Sequence, residues 1–289
     1  MNLKQLEYFV AIAEERQVTA AARRLHISQP PLSHELAQLE AELGVQLVRR
    51  EPRGVSLTPA GRILYERATT ILALVSAATR EVAGAAGSMT GTLCLAVASG
   101  ASGLVPTRRL GELAAHYPDV SIELRGGTTP QVIDLVERGL AEVGVVRTPF
   151  KSEGLRCRFA PVEPLVAIMP AAWEAGEELS VSPAQLSGLP LVCDARVASP
   201  VEGALAAAGA TAQLSCTTDD ERTTCAWAAA GMGVGLVPRS MLRVCDTGDC
   251  AIKTVSCKEL DSRAAVVWKP GRSLSPLAER AIALLGELS

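Results

Sequence analysis

Gln29, Ser33 and Ala37 fall on one i,i+4 row of a helical pattern, and Pro30, His34 and Gln38 fall on the next. Short polar side chains at the start of a helix suit one chemistry in particular, hydrogen bonding to base edges in the major groove of DNA. Gln29 has an amide that can donate to and accept from one adenine edge, and Ser33 and His34 can reach bases or phosphates. The chain offers less for covalent catalysis. His26, His34 and His116 are its three histidines, so histidine chemistry beyond the first forty residues rests on His116 alone. No Walker sequence, HExxH or Gly-x-Ser-x-Gly occurs. Gly231-x-Gly233-x-Gly235 imitates a nucleotide loop, but Leu236-Val237-Pro238 follows it, which marks a strand entry. An α/β enzyme is therefore the weakest alternative. The eight cysteines include no CxxC pair, and neither a metal nor a cofactor is expected. Cys245 and Cys250 flank Asp246-Thr247-Gly248-Asp249, a turn able to bring them together.

The polar rows need a helix to carry them. Leu3, Leu6, Phe9, Val10 and Ala13 have helical spacing, and Thr19 can cap a short helix from Ala20 to Leu25. His26-Ile27-Ser28 then reads as a tight turn. Ser28 can cap a second helix with Pro30 and Pro31 in its first turn, where a missing N–H does no harm. Leu32, Leu36, Leu39 and Leu43 form its buried stripe. Two helices joined by a short turn, the second with an exposed polar face, fit a helix-turn-helix. Arg49 to Leu57, with Pro52 and Gly54 near its tip, reads as a basic hairpin.

Composition agrees with a local nucleic-acid module on a larger body. The 289 residues are 48% hydrophobic and 20% charged, ordinary for roughly two globular domains. The formal charge of −3 excludes a uniformly basic coat, and 3% aromatics argue against a single-strand stacking platform. Residues 16–62 hold seven arginines against four glutamates, whereas residues from 91 onward hold 18 basic and 22 acidic side chains. Phosphate contact therefore belongs to the N-terminal stretch. No apolar run reaches the length of a membrane span, and Met1 to Glu15 lacks a signal-peptide core, so a cytoplasmic protein without a membrane partner is expected.

Three stretches carry a resemblance: Ala20-Ala21-Ala22-Arg23-Arg24-Leu25-His26-Ile27-Ser28-Gln29-Pro30-Pro31-Leu32-Ser33, Leu39-Glu40-x-Glu42-Leu43-Gly44-Val45-x-Leu47, and Leu57-Thr58-x-Ala60-Gly61. Together they resemble the winged helix-turn-helix of LysR-type transcriptional regulators. The length and the α/β remainder suit that family as well. His34, Gln38 and Val48 depart from its usual longer polar, basic and aromatic residues. Chemistry and resemblance together give a DNA-contacting set of Thr19, Arg23, Ser28, Gln29, Pro30, Ser33, His34, Gln38, Arg50 and Arg53.

Thr58 and Pro59 open a helix that runs to about Ala86. Leu64, Ala68, Ile71, Val75, Ala78 and Val82 repeat along it in steps of four and three, a heptad seam that invites a partner helix. Homodimerisation there would place two recognition helices on successive major grooves. The resemblance adds assembly into homotetramers.

Beyond the small-residue linker near residue 90, short apolar strands alternate with helices, which implies open, mainly parallel sheets. Strands are expected at Leu93–Ala98, Val120–Arg125, Val143–Val146, Leu165–Met169, Leu191–Cys193, Leu214–Thr217, Val234–Val237 and Ala264–Trp268. The resemblance implies two α/β subdomains like a periplasmic-binding protein of type 2, crossing near Pro161–Leu165 and Asp261–Ala265. The domains are then 1–58 (winged helix-turn-helix), 59–88 (dimerisation helix) and 91–289 (effector binding). The last divides into about 91–161 with 266–289, and about 162–265.

Ligands of such sheets sit at the carboxyl ends of strands against helix N-termini. Ser99, Gly100 and Ser102 follow the first strand, Thr128 and Thr129 the second. Ser199 and Pro200 open a helix with Ser199 and Glu202 as a capping box, and Arg147 ends a strand with a positive charge. The resemblance maps effector contacts to these corners. A small, anionic effector is expected, with double-stranded DNA and RNA polymerase as the other partners. The alternative within the same architecture is a thiol redox sensor, for which Cys193 is the nearest cysteine to the 200s helix.

Overall fold

The computed structural model describes residues 1–52, 54–84, 91–173, 176, 178–271 and 274–286. They form two compact units, Met1–Arg80 and Glu81–Ser289. The first contains α1 (Leu3–Glu15), α2 (Val18–Arg24), α3 (Gln29–Leu43), the hairpin β1 (Val48–Glu51) and β2 (Gly54–Leu57), and most of α4 (Pro59–Gly84). Asn2 opens α1 with a capping box, its Oδ1 accepting from Gln5 N at 2.9 Å while Gln5 Oε1 accepts from Asn2 N at 3.0 Å. Leu6, Phe9 and Ile12 of α1, Ala21 and Ala22 of α2, and Leu32, Leu36 and Leu39 of α3 make the core.

Three local expectations shift. Leu3 and Leu43, in the end turns of their helices, are 43% and 40% exposed rather than part of the stripe. α2 begins at Val18, so Thr19 lies inside the helix and is not its cap. Val18, partly buried, packs against the core at that start. His26 takes a left-handed φ of 55° and closes α2 with two reversed hydrogen bonds, Ile27 N to Ala22 O at 3.0 Å and His26 N to Arg23 O at 3.1 Å. This tight exit sets the angle between α2 and α3.

Thr58 ties the hairpin to α4. Its hydroxyl donates to Gln46 O at 2.8 Å and accepts from Gly61 N at 3.0 Å. Thr58→Ala removes that cap and is expected to cost the N-terminal unit about 1 kcal/mol, read by chemical denaturation of residues 1–80 within the full chain. The heptad seam divides in two. Leu64, Ala68 and Ile71 pack on the core of their own unit, with Ala68 fully buried. Ala78 is exposed, and Val75 and Val82 are 39% and 76% exposed.

The second unit holds two sheets. The elements in chain order are β3 (Gly91–Ala98), α5 (Thr107–His116), β4 (Val120–Gly127), α6 (Thr129–Glu137), β5 (Val143–Arg147), β6 (Arg156–Phe159), β7 (Leu165–Met169), β8 (Ser180–Val181) and β9 (Pro190–Asp194). There follow α7 (Ala195–Ala207), β10 (Gln213–Thr218), α8 (Glu221–Ala229), β11 (Val234–Pro238), β12 (Ala251–Val255), β13 (Ala264–Trp268) and α9 (Pro276–Gly286). The five-stranded sheet runs β4-β3-β5-β13-β6 and the six-stranded sheet β10-β9-β11-β7-β12-β8. The chain thus crosses from one sheet to the other twice, before β7 and before β13. The strands that receive it, β7 and β13, pair antiparallel with their neighbours, while β3 with β4 and β5, and β9 with β10 and β11, are parallel.

Helices cover the central strands, which explains their continuous apolar runs. Residues 93–98 are buried throughout, as are 165–169. Each fully buried leucine or isoleucine, such as Leu93, Leu95 and Ile168, contributes roughly 1.5–3 kcal/mol. Three strands lack this signal in the sequence. β6 is an edge strand, β8 has two residues, and β12 carries the buried Lys253, whose Nζ donates to Gly176 O at 2.7 Å. Among the described residues, no helix is long and apolar enough to cross a membrane.

Candidate nucleic-acid interface and ligand cleft

Ser28, with extended backbone, occupies the position before α3 but its side chain makes no cap hydrogen bond there, and Pro30 sits in the first turn. Gln29, Pro30, His34 and Gln38 are exposed, and Ser33 is half-buried beside them. Gln29 Nε2 donates to Ser33 Oγ at 2.8 Å. That bond uses one amide hydrogen and leaves the second, with Oε1, available for a bidentate partner. Arg23 is exposed and its Nε reaches Thr19 O at 3.4 Å, whereas Arg24 is held by Glu14 at 2.6 Å and Glu15 at 3.3 Å.

The hairpin is set by backbone contacts. Glu40 Oε1 accepts from Leu47 N at 2.7 Å and Val48 N at 3.1 Å, and Val55 N donates to Arg16 O at 2.8 Å. Gly54, at φ 148°, lies so close to Arg16 that any Cβ would collide with its carbonyl oxygen. Arg49 and Arg50 are adjacent on β1 and point to opposite sides of the ribbon, both exposed. Arg53 lies outside the described residues. The structure therefore brings Ser28, Gln29, Pro30, Ser33, His34 and Gln38 together on one end and side of α3, with Arg50 on the hairpin.

In the second unit a cleft of about 390 Å³ opens where the carboxyl ends of β3 and β4 meet the start of α8. Its walls are Val97, Val105, Leu124 and Val244, with Ser99, Ser102, Thr107, Gly126 and Gly127 supplying polar atoms and Arg125, Asp220 and Arg222 supplying charge. Arg125 is paired with Glu123 at 2.8 Å. Arg222 is exposed and in no ion pair among the described residues. Burial alone would raise the Asp220 carboxyl, but the Thr223 hydroxyl and the N–H groups of Thr223 and Arg222 hold it below its ordinary value. Asp220 thereby caps α8 as a carboxylate, and Arg222 is left as a cleft cation with no ion pair among the described residues.

Of the corner residues named in the sequence, Ser99 and Ser102 line this cleft; the others have different duties. Thr128 caps α6 in a box with Gln131, and Thr129 is buried with its hydroxyl 3.3 Å from Arg147 O. Ser199 opens no helix, because α7 begins four residues earlier at Ala195 with Asp194 as its cap, and Ser199 and Pro200 are exposed within it. The Ser199–Glu202 capping box is thus absent.

Arg147 is not open to a ligand. Its guanidinium donates to Gly100 O at 2.6 Å, Ser262 Oγ at 2.9 Å, Ser240 Oγ at 3.1 Å and Glu163 Oε1 at 2.5 Å. Glu163 Oε2 accepts from Ser240 N at 2.6 Å. The two crossing segments pair at this point, Glu163 N donating to Ser262 O at 2.8 Å and Ser262 N to Glu163 O at 3.0 Å. Arg147 therefore fastens the crossing to the tight turn over Ser99–Leu104 and to the turn over Arg239–Arg243.

A second ionic cluster went unnoticed in the sequence. Arg196 grips Asp194 with two bonds, of 2.6 and 2.7 Å, and reaches Glu221 Oε1 at 3.0 Å and Ser99 Oγ at 2.7 Å. Asp194 and Glu221 are 1% and 5% exposed at their side chains. Burial pushes the Glu221 carboxyl up, and the neighbouring Arg196 charge works against it. The signal that could have found Arg125, Arg196 and Arg222 is positional, since each stands at a strand end or a helix start.

Cys193 is buried in β9, and burial, followed by the nearby Asp194 and Glu202 charges, pushes its thiol up to about 11. At neutral pH it is a packed thiol, unsuited to reaction with peroxide. Among the described residues no group of three His, Cys, Asp or Glu side chains is placed to hold a metal ion.

Comparison with known proteins agrees with both halves of this geometry. Residues 3–62 match the family described as bacterial regulatory helix-turn-helix protein, lysR family, and residues 86–289 match the LysR substrate binding domain. The HTH-type transcriptional regulator BudR of Raoultella terrigena is 33% identical over 276 residues, covering 93% of this chain and 95% of the relative. IlvR of Caulobacter vibrioides is 30% identical over 277 residues, covering 93% and 92%. The crystal structure of CbnR, a LysR family transcriptional regulator, superposes with a TM-score of 0.79 at 24% identity over 99% of this chain and 98% of that one. Full-length CbnR complexed with its target DNA gives 0.78 over both full chains at 24% identity. With the family's two domains spanning nearly all of its length, the chain belongs to the LysR family of bacterial helix-turn-helix transcriptional regulators.

Proposed function

We propose that this LysR-family regulator reads its operator with the exposed end of α3 and answers to a small anionic effector in the cleft at β3, β4 and α8. The family membership makes it a DNA-binding transcriptional regulator with an effector-binding domain, not an enzyme. Gln29 takes one base edge, with Ser33, His34 and Gln38 beside it. Ser28 and Pro30 set the helix start against the backbone, and Arg23, Arg50 and Arg53 hold phosphates. Residues 1–58 serve DNA binding, 59–88 pair two copies, and 91–289 bind the effector. The apolar positions exposed on the second half of α4, Leu74, Val75 and Val82, support a homodimer through that helix, and pairs of dimers a homotetramer. The regulator works in the cytoplasm, where RNA polymerase is its remaining partner.

The effector class rests on one observation: an apolar-walled cleft in which Arg222 is a lining cation with no ion pair among the described residues. A small carboxylate with an apolar body fits that lining, with Ser99 and Ser102 as hydrogen-bond partners. Thermal denaturation with a panel of short carboxylates and their uncharged amides tests it. A matching carboxylate at about 100 times its Kd adds about 2.7 kcal/mol to the unfolding free energy, whereas its amide adds none. Arg222→Ala is expected to weaken that carboxylate about tenfold to a hundredfold, the worth of one charged hydrogen bond. Stabilisation by amides alone would refute the anionic reading.

A further inference from the structure

The tight turn over Ser99–Leu104 shows a different face to each of its neighbours. It winds with three residues per turn, so residues three apart stand in one row. Ser99 and Ser102 form one row and line the cleft. Gly100 and Gly103 form the next, both buried. A Cβ on Gly100 would collide with Glu221 Oε1, and one on Gly103 with the backbone oxygen of Ser240. The turn follows β3 of the five-stranded sheet, whereas Glu221 opens α8 and Ser240 follows β11 of the six-stranded sheet. The seam between the two halves of this unit is therefore closed here to a distance that only glycine permits.

Two arginines fasten this seam from opposite sides. Arg147, from the five-stranded half, reaches Ser240 Oγ at 3.1 Å, and both oxygens of its carboxylate partner are satisfied. Glu163 Oε1 accepts from Arg147 and from Ser240 Oγ, and Oε2 accepts from Ser240 N. Arg196, from the six-stranded half, reaches Ser99 Oγ at 2.7 Å. Its cluster is less complete. Asp194 and Glu221 share the one guanidinium, and Glu221 Oε2 is buried with no hydrogen-bond partner among the described residues. The Arg196 side chain is also 35% exposed, against 10% for Arg147.

We propose that Arg196 is a releasable clasp, whose bond to Ser99 holds the Ser99 end of the tight turn against Glu221. A buried acceptor without a donor penalises the closed seam, and opening relieves it by admitting water to Glu221. The Arg147 cluster carries no such penalty, so it stays fastened while the Arg196 edge lets go. The regulatory meaning rests on the effector reading above. Ser99 stands both in the cleft and under the clasp, so cleft occupancy and clasp closure bias each other.

Amide hydrogen exchange of the full-length chain, with no ligand added, tests the clasp. Arg196→Ala is expected to speed exchange of the peptide Ser99–Val105 about tenfold or more, the worth of one charged hydrogen bond. Ser99→Ala removes only the bond across the seam and should also speed it, which keeps the test open if Arg196→Ala does not fold. Leu93–Val97, in the core of the same half, should keep its rate in both variants. Gly100→Ala, whose methyl displaces Glu221, supplies the rate of an opened edge for reference. Acceleration confined to the first turn of α7, or a parental rate in Ser99→Ala while Gly100→Ala is fast, would overturn the proposal. So would a parent chain in which Ser99–Val105 exchanges with the same urea dependence as Leu93–Val97, because the seam would then open only on global unfolding. The outcome is independent of the effector reading, which stands or falls on the carboxylate panel.

Discussion

Arg147→Ala is expected to lower the unfolding free energy of the unit Glu81–Ser289 by about 3 kcal/mol, the low end of the penalty for stranding a carboxylate largely shielded from solvent. Glu163 is 16% exposed at its side chain and Arg147 10%, so solvent does little to replace the lost charge. The variant also withdraws hydrogen bonds from Gly100 O, Ser240 Oγ and Ser262 Oγ. Restoring charge balance should recover much of the loss, so Arg147→Met with Glu163→Leu is expected to be more stable than either single change. Urea denaturation followed by tryptophan fluorescence reads this unit directly, because Trp173, Trp227 and Trp268 all lie in it and the chain has no other tryptophan. A loss under about 1 kcal/mol would place the pair among ordinary surface ion pairs and would remove its role as a fastening.

Gln29→Ala is expected to cost about 1–3 kcal/mol of affinity for the operator and almost nothing for random duplex. The side chain is exposed at the start of α3, so its removal leaves the core intact. Arg50→Ala should behave in the opposite way, weakening both DNAs together and reducing the slope of log K against log salt by about one. Fluorescence anisotropy over a salt series, with a fragment from the regulator's own upstream region and a scrambled control, separates the two. Equal losses on both DNAs for Gln29→Ala would show that it supports the backbone contact and does not read a base.

The elements that position α3 were open to sequence reasoning because local signals and tertiary packing agree there. Leu32, Leu36 and Leu39 mark the buried stripe, and Ser28 with Pro30 marks the start. The central strands were legible for the same reason, being buried on both faces. The failures come where a local signal loses to a distant contact. Ser199, Pro200 and Glu202 form a good cap on paper, yet Asp194 caps α7 earlier. Arg196 holds that first turn through Ser99 and Glu221, 97 and 25 residues away. Arg147 looks like a ligand's counter-charge until Glu163 and Ser262 arrive from the two crossings. The heptad seam reads as uniform, but its first half is consumed by the core of its own unit. Cys245 and Cys250 flank one turn in the sequence, yet both thiols are free and Cys250 Sγ faces Ala228 O, because a turn fixes the direction of a chain and not the partner of each side chain.

The crossing at Glu163 and Ser262 also sets the mechanics of the second unit. Two antiparallel segments joined by reciprocal backbone bonds make a two-stranded ribbon between the sheets, which would serve as an axle if the sheets turn on one another. Arg147 is bonded to that axle. Arg125 is not: it pairs with Ala96, which pairs with Gly144 on the strand of Arg147, placing it two strands out, roughly 10 Å. If the proposed effector binds this cleft, it engages residues farther from the crossing than the Arg147 ion pair is.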